Sequence, residues 1–144
     1  MPGWLRIALG LVLGVVVGGV ANMGLVMLGG IVLPPPEGVD PTDLESIRAN
    51  IGSYSPVQFV PPFAAHAIGT LVGATVATAI SRSGSFWPAM IVGGWFLLGG
   101  IGMVVLIPET PVWFIVLDLG GAYLPMAWLG GRLAGSRRGP SVQS

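Results

Sequence analysis

The chain has 144 residues, 53% of them hydrophobic and only 8% charged, and its six basic and six acidic side chains cancel. A soluble domain carries roughly 25% charged residues, so this composition cannot clothe a water-facing surface, and with no long basic run it excludes nucleic acid as a partner. The lack of cysteine removes disulfides, thiolate metal sites and thiol redox chemistry.

No charged residue occurs between Ile7 and Pro36, a stretch longer than the ~20 residues a membrane span needs. The first span is placed at residues 4–33. As one helix it would reach about 45 Å against a hydrocarbon core of about 30 Å, so it is expected to tilt, protrude or break near Gly29-Gly30. A cleaved leader ending near Gly19-Val20-Ala21 is the rival reading, but the apolar core exceeds the ~7–15 residues such leaders use. Gly10, Gly14 and Gly18 recur at helical spacing and mark a close-packing face. Asn22 continues that stripe as an expected interhelical hydrogen bonder.

Three prolines end the first span, and residues 34–60 form the first extracytoplasmic loop. A short amphipathic helix is expected there. Asp40 is its candidate cap and Pro41 suits its first position, while Asp43 and Glu45 favour its positive end. Leu44, Ile47 and Ile51 share its apolar face, and Tyr54 and Phe59 follow as interface anchors. Glu37, Asp40, Asp43 and Glu45 make an outer acidic cluster with calcium-type ligands but without the glycine spacing of an EF-hand. Capping accounts for two of them, and no metal is assigned.

Three further spans are placed at about residues 61–81, 87–107 and 111–133, joined by short connections. The expected fold is an all-α membrane protein, a single four-helix transmembrane domain over residues 1–134, followed by a short polar cytoplasmic tail at 135–144. Arg6, Arg82, Arg132, Arg137 and Arg138 fall on one side of that path. Glu37, Asp40, Asp43, Glu45 and Glu109 fall on the other, with Arg48 alone among them. Arginine-rich segments stay in the cytoplasm, which puts both termini inside and the long loop outside. Trp4, Trp87 and Trp128 then lie near the inner interface and Trp113 near the outer one. Leu28-Gly29-Gly30-Ile31 before Pro36-Glu37 and Leu98-Gly99-Gly100-Ile101 before Pro108-Glu109 suggest two related hairpins.

Only two ionisable residues lie well inside predicted spans, His66 and Asp118. Each is about 6–10 Å below the outer surface, counted along its helix. His66 shares a stripe with Gly69, Thr70, Gly73 and Ala77, and Asp118 shares one with Gly121, Ala122 and Pro125. Small residues mark packing faces, so both groups should point into the bundle and pair, as a proton-responsive site, a ligand site, or a link that registers two helices. Pro125 frees the carbonyl of Gly121 one turn below Asp118, and Tyr123 approaches the same region from a different helix face. One histidine cannot supply a usual zinc ligand set, and no cofactor is expected.

The stretches PPPEGVD (34–40), HAIGTLVGA (66–74) and LDLGGAYLPMAWLGG (117–131) resemble those of small four-span bacterial inner-membrane proteins to which no activity is attached. That resemblance implies a bacterial inner-membrane location and nothing about mechanism. Small multidrug transporters need a carboxylate in the first span, and fluoride channels carry a Thr-Phe-Ser-Thr-type motif; both features are missing here. The leading expectation is a non-enzymatic bundle that self-associates or joins a larger membrane complex. A small transporter or channel using His66 and Asp118 is the alternative, and an intramembrane enzyme with an outward-facing site comes third.

Overall fold

The computed structural model describes residues 1–136; the tail beyond, including Arg137 and Arg138, lies outside the described residues. It contains helices α1 (Gly3–Val32), α2 (Leu44–Asn50), α3 (Val60–Ser81), α4 (Trp87–Leu106), α5 (Val112–Gly121) and α6 (Leu124–Ser136). Two short 3-10 turns, Ile51–Ser53 and Pro56–Phe59, link α2 to α3. No strand occurs among the described residues. The fold is therefore all-α. Four segments, Gly3–Val32, Pro56–Ser81, Trp87–Leu106 and Val112–Gly135, are long and apolar enough to cross a membrane, as suits a multi-pass membrane protein. Their outer faces agree: Val12, Val20 and Val116 are 60%, 68% and 68% exposed, which in water would form apolar patches far beyond those of a soluble monomer.

Helix α1 runs unbroken through Gly29 and Gly30, so of the expected tilt, protrusion or break the last is absent. Apolar neighbours and internal hydrogen bonds carry the helix past the two glycines, and the chain leaves it only where Pro34 removes the next donor. Its glycine face meets α3 antiparallel. A side chain at Gly10 would strike Ala77 and Ser81, one at Gly14 would strike Gly73 and Ala77, and one at Gly18 would strike Gly69 and Gly73. Gly69 and Gly73 return the contact, with Gly73 facing the carbonyl of Gly14. Four-residue ridges from two helices interlock this way when no side chain stands between them.

The fourth span differs from expectation. It is two helices, interrupted at Ala122–Tyr123. Pro125 has no amide hydrogen for the carbonyl of Gly121 and its ring crowds that carbonyl, while Gly120 and Gly121 are weak helix formers. The helix ends above the proline and a new one starts at Leu124. Gly121 consequently serves no close packing: a side chain there would only reach the Phe63 ring at 3.7 Å, an ordinary contact. The tight crossings of the second hairpin use glycines without a recognised stripe. Gly93 packs on Ala127, Gly131 on Ala89 and Phe86, and Gly130 on the Leu71 carbonyl of α3.

The ends of the bundle segregate charge. Arg6, Arg82 and Arg132 lie where α1 begins and where α3 and α6 end, and Arg132 sits 4.9 Å from the centre of the Trp128 ring. The loop and the α4–α5 turn occupy the opposite end, where Arg48 meets Glu109 through two contacts of 3.4 Å. In the loop Asp43 caps α2, accepting from the amide of Glu45 at 3.1 Å. Asp40 instead closes the preceding turn by accepting from both the amide and the hydroxyl of Thr42, at 2.8 and 2.7 Å, so neither Asp40 nor Pro41 starts the helix. Ile51 is buried and Ile47 packs beside it, but Leu44 points away and is 39% exposed. Phe59, expected at the interface, is buried with Ile51, Ile107 and Phe114 instead.

Candidate functional site

His66 stands one turn below Pro61-Pro62 on α3, and Asp118 stands in the middle of α5. The structure brings them together. Nδ1 of His66 lies 2.9 and 3.0 Å from the two carboxylate oxygens of Asp118. Tyr123 adds a third contact, its hydroxyl donating to Oδ2 of Asp118 at 3.1 Å. Its ring also stacks on the imidazole, with centroids 5.6 Å apart and planes 26° from parallel.

The broken span explains the tyrosine. On a continuous helix, residues five apart face directions about 140° different, so Tyr123 would turn away from Asp118. The interruption at Ala122–Tyr123 redirects it inward, and Gly100 on α4 leaves the space that its ring fills. A side chain on Gly100 would lie 2.6 Å from the Tyr123 hydroxyl oxygen. Sequence reasoning missed Gly100 because it stands in a run of exposed glycines, Gly99 and Gly102 among them, with no periodic mark of its own.

His66 and Asp118 form part of one wall of a cavity of about 420 Å³, within the few-hundred-Å³ range of small-molecule sites; Tyr123 supports them from outside the lining. The cavity's other walls are mostly apolar, with Asn22, Gln58 and Thr110 as the polar exceptions. Met23 and Val26 come from α1, Met103 and Val104 from α4, and Phe114 and Ile115 from α5. Ile47, Ile51 and Tyr54 of the loop roof it. Burial pushes the Tyr54 hydroxyl above the usual phenol range, keeping it protonated. The roof is pinned twice, by the Arg48–Glu109 pair and by Gln58, whose amide donates to the carbonyl of Pro34 at 2.7 Å. Met23, Val26 and Met103 line the cavity and are 58%, 39% and 45% exposed on the apolar flank of the bundle. Towards the arginine end, Phe96 wedges against Gly18 and Gly73.

Asp118 is only 5% exposed, and His66 covers it. With Nδ1 bound to the carboxylate, Nε2 of His66 is left without a hydrogen-bond partner among the described residues. A carboxylate behind an imidazole fixes the ring's orientation and tautomer and makes its far nitrogen a better hydrogen-bond acceptor. That is the chemistry this arrangement offers.

The remaining candidates separate. Asn22 lines the cavity, but its Oδ1 is buried without a partner, so the expected interhelical hydrogen bond is not formed. The backbone opposite it belongs to Gly69, which offers no side chain to bond. Thr70 lies one turn below His66, 1% exposed and with its hydroxyl unpartnered, away from the cavity wall. The outer acidic cluster does not assemble. Asp40 and Asp43 are committed to the turn and the cap, Glu37 and Glu45 are exposed, and no group of three or more metal-ligating side chains gathers among the described residues.

Compared with known proteins, the chain matches no family model, no curated protein and no solved structure.

Proposed function

We propose that this protein binds an apolar small molecule drawn from the surrounding lipid, with His66 as the polar contact at the back of the site. The observation that carries this reading is the cavity itself. It is greasy on nearly every side, roofed at the loop end, and flanked by partly exposed Met23, Val26 and Met103 where the helices would face lipid. A roof above a partly exposed apolar flank favours entry from the bilayer over entry from water. The reading assigns binding and no turnover, keeping the non-enzymatic expectation, and it places the protein in a bacterial inner membrane with its arginine-rich end in the cytoplasm.

Native mass spectrometry of protein extracted in mild detergent tests it. Wild-type protein should retain a bound apolar species, and Met103→Trp, which fills the cavity, should lose it while remaining folded. Equal retention by both proteins would overturn the reading. Orientation is checked separately, in a chain that has no native cysteine: a cysteine at Ser53 should react with an impermeant thiol reagent from outside, and one at Ser85 only after permeabilisation.

A second reading draws on the buried, unpartnered hydroxyls of Thr70 and Thr78, which follow His66 down α3. They would serve a proton or ion passing beyond the cavity. Close packing of Gly14 and Gly18 on Gly69 and Gly73 leaves little room at that level. Proteoliposomes showing proton flux abolished by Thr70→Val would favour passage over binding.

A further inference from the structure

Resting on the binding reading above, we infer that the ligand is an apolar molecule whose head is a hydroxyl, an alcohol or phenol that donates its hydrogen to Nε2 of His66. The inference comes from the polar inventory of the cavity. Among its lining residues the sole charged side chain is Asp118, and no lysine or arginine is present. The nearby cation of the roof, Arg48, is exposed and already engaged with Glu109. An anionic head would therefore meet a buried carboxylate and no free positive charge, a costly arrangement in an apolar site.

Donors are offered by the Tyr54 hydroxyl of the roof and the side-chain amide of Asn22 on α1, whereas the polar groups at the back of the site are acceptors. Nδ1 of His66 faces both oxygens of the Asp118 carboxylate; with its hydrogen held there, Nε2 of an uncharged imidazole presents a lone pair. The carboxylate accepts from His66 and Tyr123 and donates nothing. The amide of Gln58 is spent on Pro34 and on Ser55, and the Thr110 hydroxyl is spent on the carbonyl of Ile107 at 2.7 Å. A ligand carrying only acceptors, such as an ether or ketone, would leave Nε2 buried and unpaired. An ammonium head would have to give up its water to reach a carboxylate that already has two donors. A neutral O–H satisfies Nε2 at the smallest desolvation cost, and the apolar remainder fills the space beneath Ile47, Ile51 and Met103.

The experiment uses wild-type protein in lipid nanodiscs and four probes with one tail: 4-hexylphenol, its methyl ether, 4-hexylbenzoate and 4-hexylbenzylammonium. Affinity is measured by titration calorimetry against empty nanodiscs. The phenol should bind roughly tenfold more tightly than the ether, the yield of one well-made hydrogen bond in an apolar site, and more tightly than either ion. In His66→Phe, which keeps the aromatic bulk and is checked for folding by its thermal transition, phenol and ether should bind equally. Equal affinity of phenol and ether in the wild type would overturn the hydroxyl inference while leaving the cavity reading in place. So would tighter binding of the benzoate or the ammonium. Failure of all four probes to bind would instead overturn the cavity reading and this inference with it.

Discussion

Helix α3 passes through two halves of one bundle, and the halves use its small residues in opposite ways. From Gly69 to Ser81 it is clamped between α1 and α6, with the glycine faces of α1 and α3 touching and Gly130 against the Leu71 carbonyl. From Pro61 to His66 it still lies against α1, where Pro61 fits onto Gly29, and against α5, where Phe63 packs beside Phe114, but the cavity opens between these helices and Met103 and Val104 of α4. The gap is the cavity, and the His66–Asp118 contact, backed by Tyr123, stands at its wall. The difference teaches that small residues determine how near a helix may come, while the partner determines whether it does. At the arginine end the partners are Ala127 and Gly130. At the loop end they are Met103, Ile107 and Phe114, too large to close, with a broken helix between them.

The sharpest way to break this comparison is to place bulk in each half. Gly14→Leu forces a side chain into the carbonyl of Gly73, which already lies 2.7 Å from where its first carbon would stand. We expect a loss of about 3 kcal/mol or more, seen as failure to recover folded protein or as a large fall in the thermal midpoint. Val26→Leu, at the cavity wall, should change that midpoint little, because the added carbon enters empty space. Equal damage from both would mean the two halves are packed alike.

The next test asks whether the polar bridge acts as one unit. Asp118→Asn and His66→Ala should each destabilise the bundle, since either leaves a buried group without its partner. The double mutant should recover part of the summed loss, a coupling of about 1–3 kcal/mol. Purely additive effects would mean that the pair does not hold the two hairpins together. Tyr123→Phe removes one hydrogen bond to the carboxylate and should cost about 1 kcal/mol. Gly100→Ala should imitate it, because the new carbon displaces the tyrosine hydroxyl.

These residues also show how far the chain could be read unaided. Four long apolar runs were enough for an all-helical bundle with four segments long and apolar enough to cross a membrane, because lipid imposes length and apolarity on any span. His66 and Asp118 were legible for the same reason: ionisable groups in such runs must turn inward and find each other. The cavity was not. It depends on a seam between two hairpins, and its lining, residues such as Val26, Met103 and Ile107, is chemically identical to a lipid-facing surface. Pro125 signalled a disturbed helix, yet it could not say that the interruption would fall at Ala122–Tyr123 and swing Tyr123 onto Asp118. Asn22 shows the converse failure. Its spacing marked the right face, but a hydrogen bond needs a partner, and Gly69 across the interface has none.

The smallest expected effect concerns the roof, whose ties to the bundle beneath it are the exposed Arg48–Glu109 pair and Gln58. The Glu109 carboxyl is held below the usual carboxylate range, first by its own backbone amide and then by the Arg48 guanidinium. Asp40 is held low as well, by the hydroxyl and then the amide of Thr42. A carboxyl lowered in the folded state contributes stability that is present above its ordinary value and lost as pH falls through its folded value. Acidification through and below pH 4.5, the ordinary glutamate value, should therefore loosen the loop. Both Arg48 and Glu109 are about half exposed, so solvent and salt screen the pair and its contribution is slight. Hydrogen exchange at residues 44–53 should rise on acidification and with added salt, while α1 and α3 stay protected below Phe96. Glu109→Gln should raise that exchange at neutral pH and flatten its pH response, leaving the smaller part that belongs to Asp40. If exchange rose together in the roof and in the glycine-packed half, the roof would be part of the same cooperative unit and the cavity could not open without unfolding the bundle.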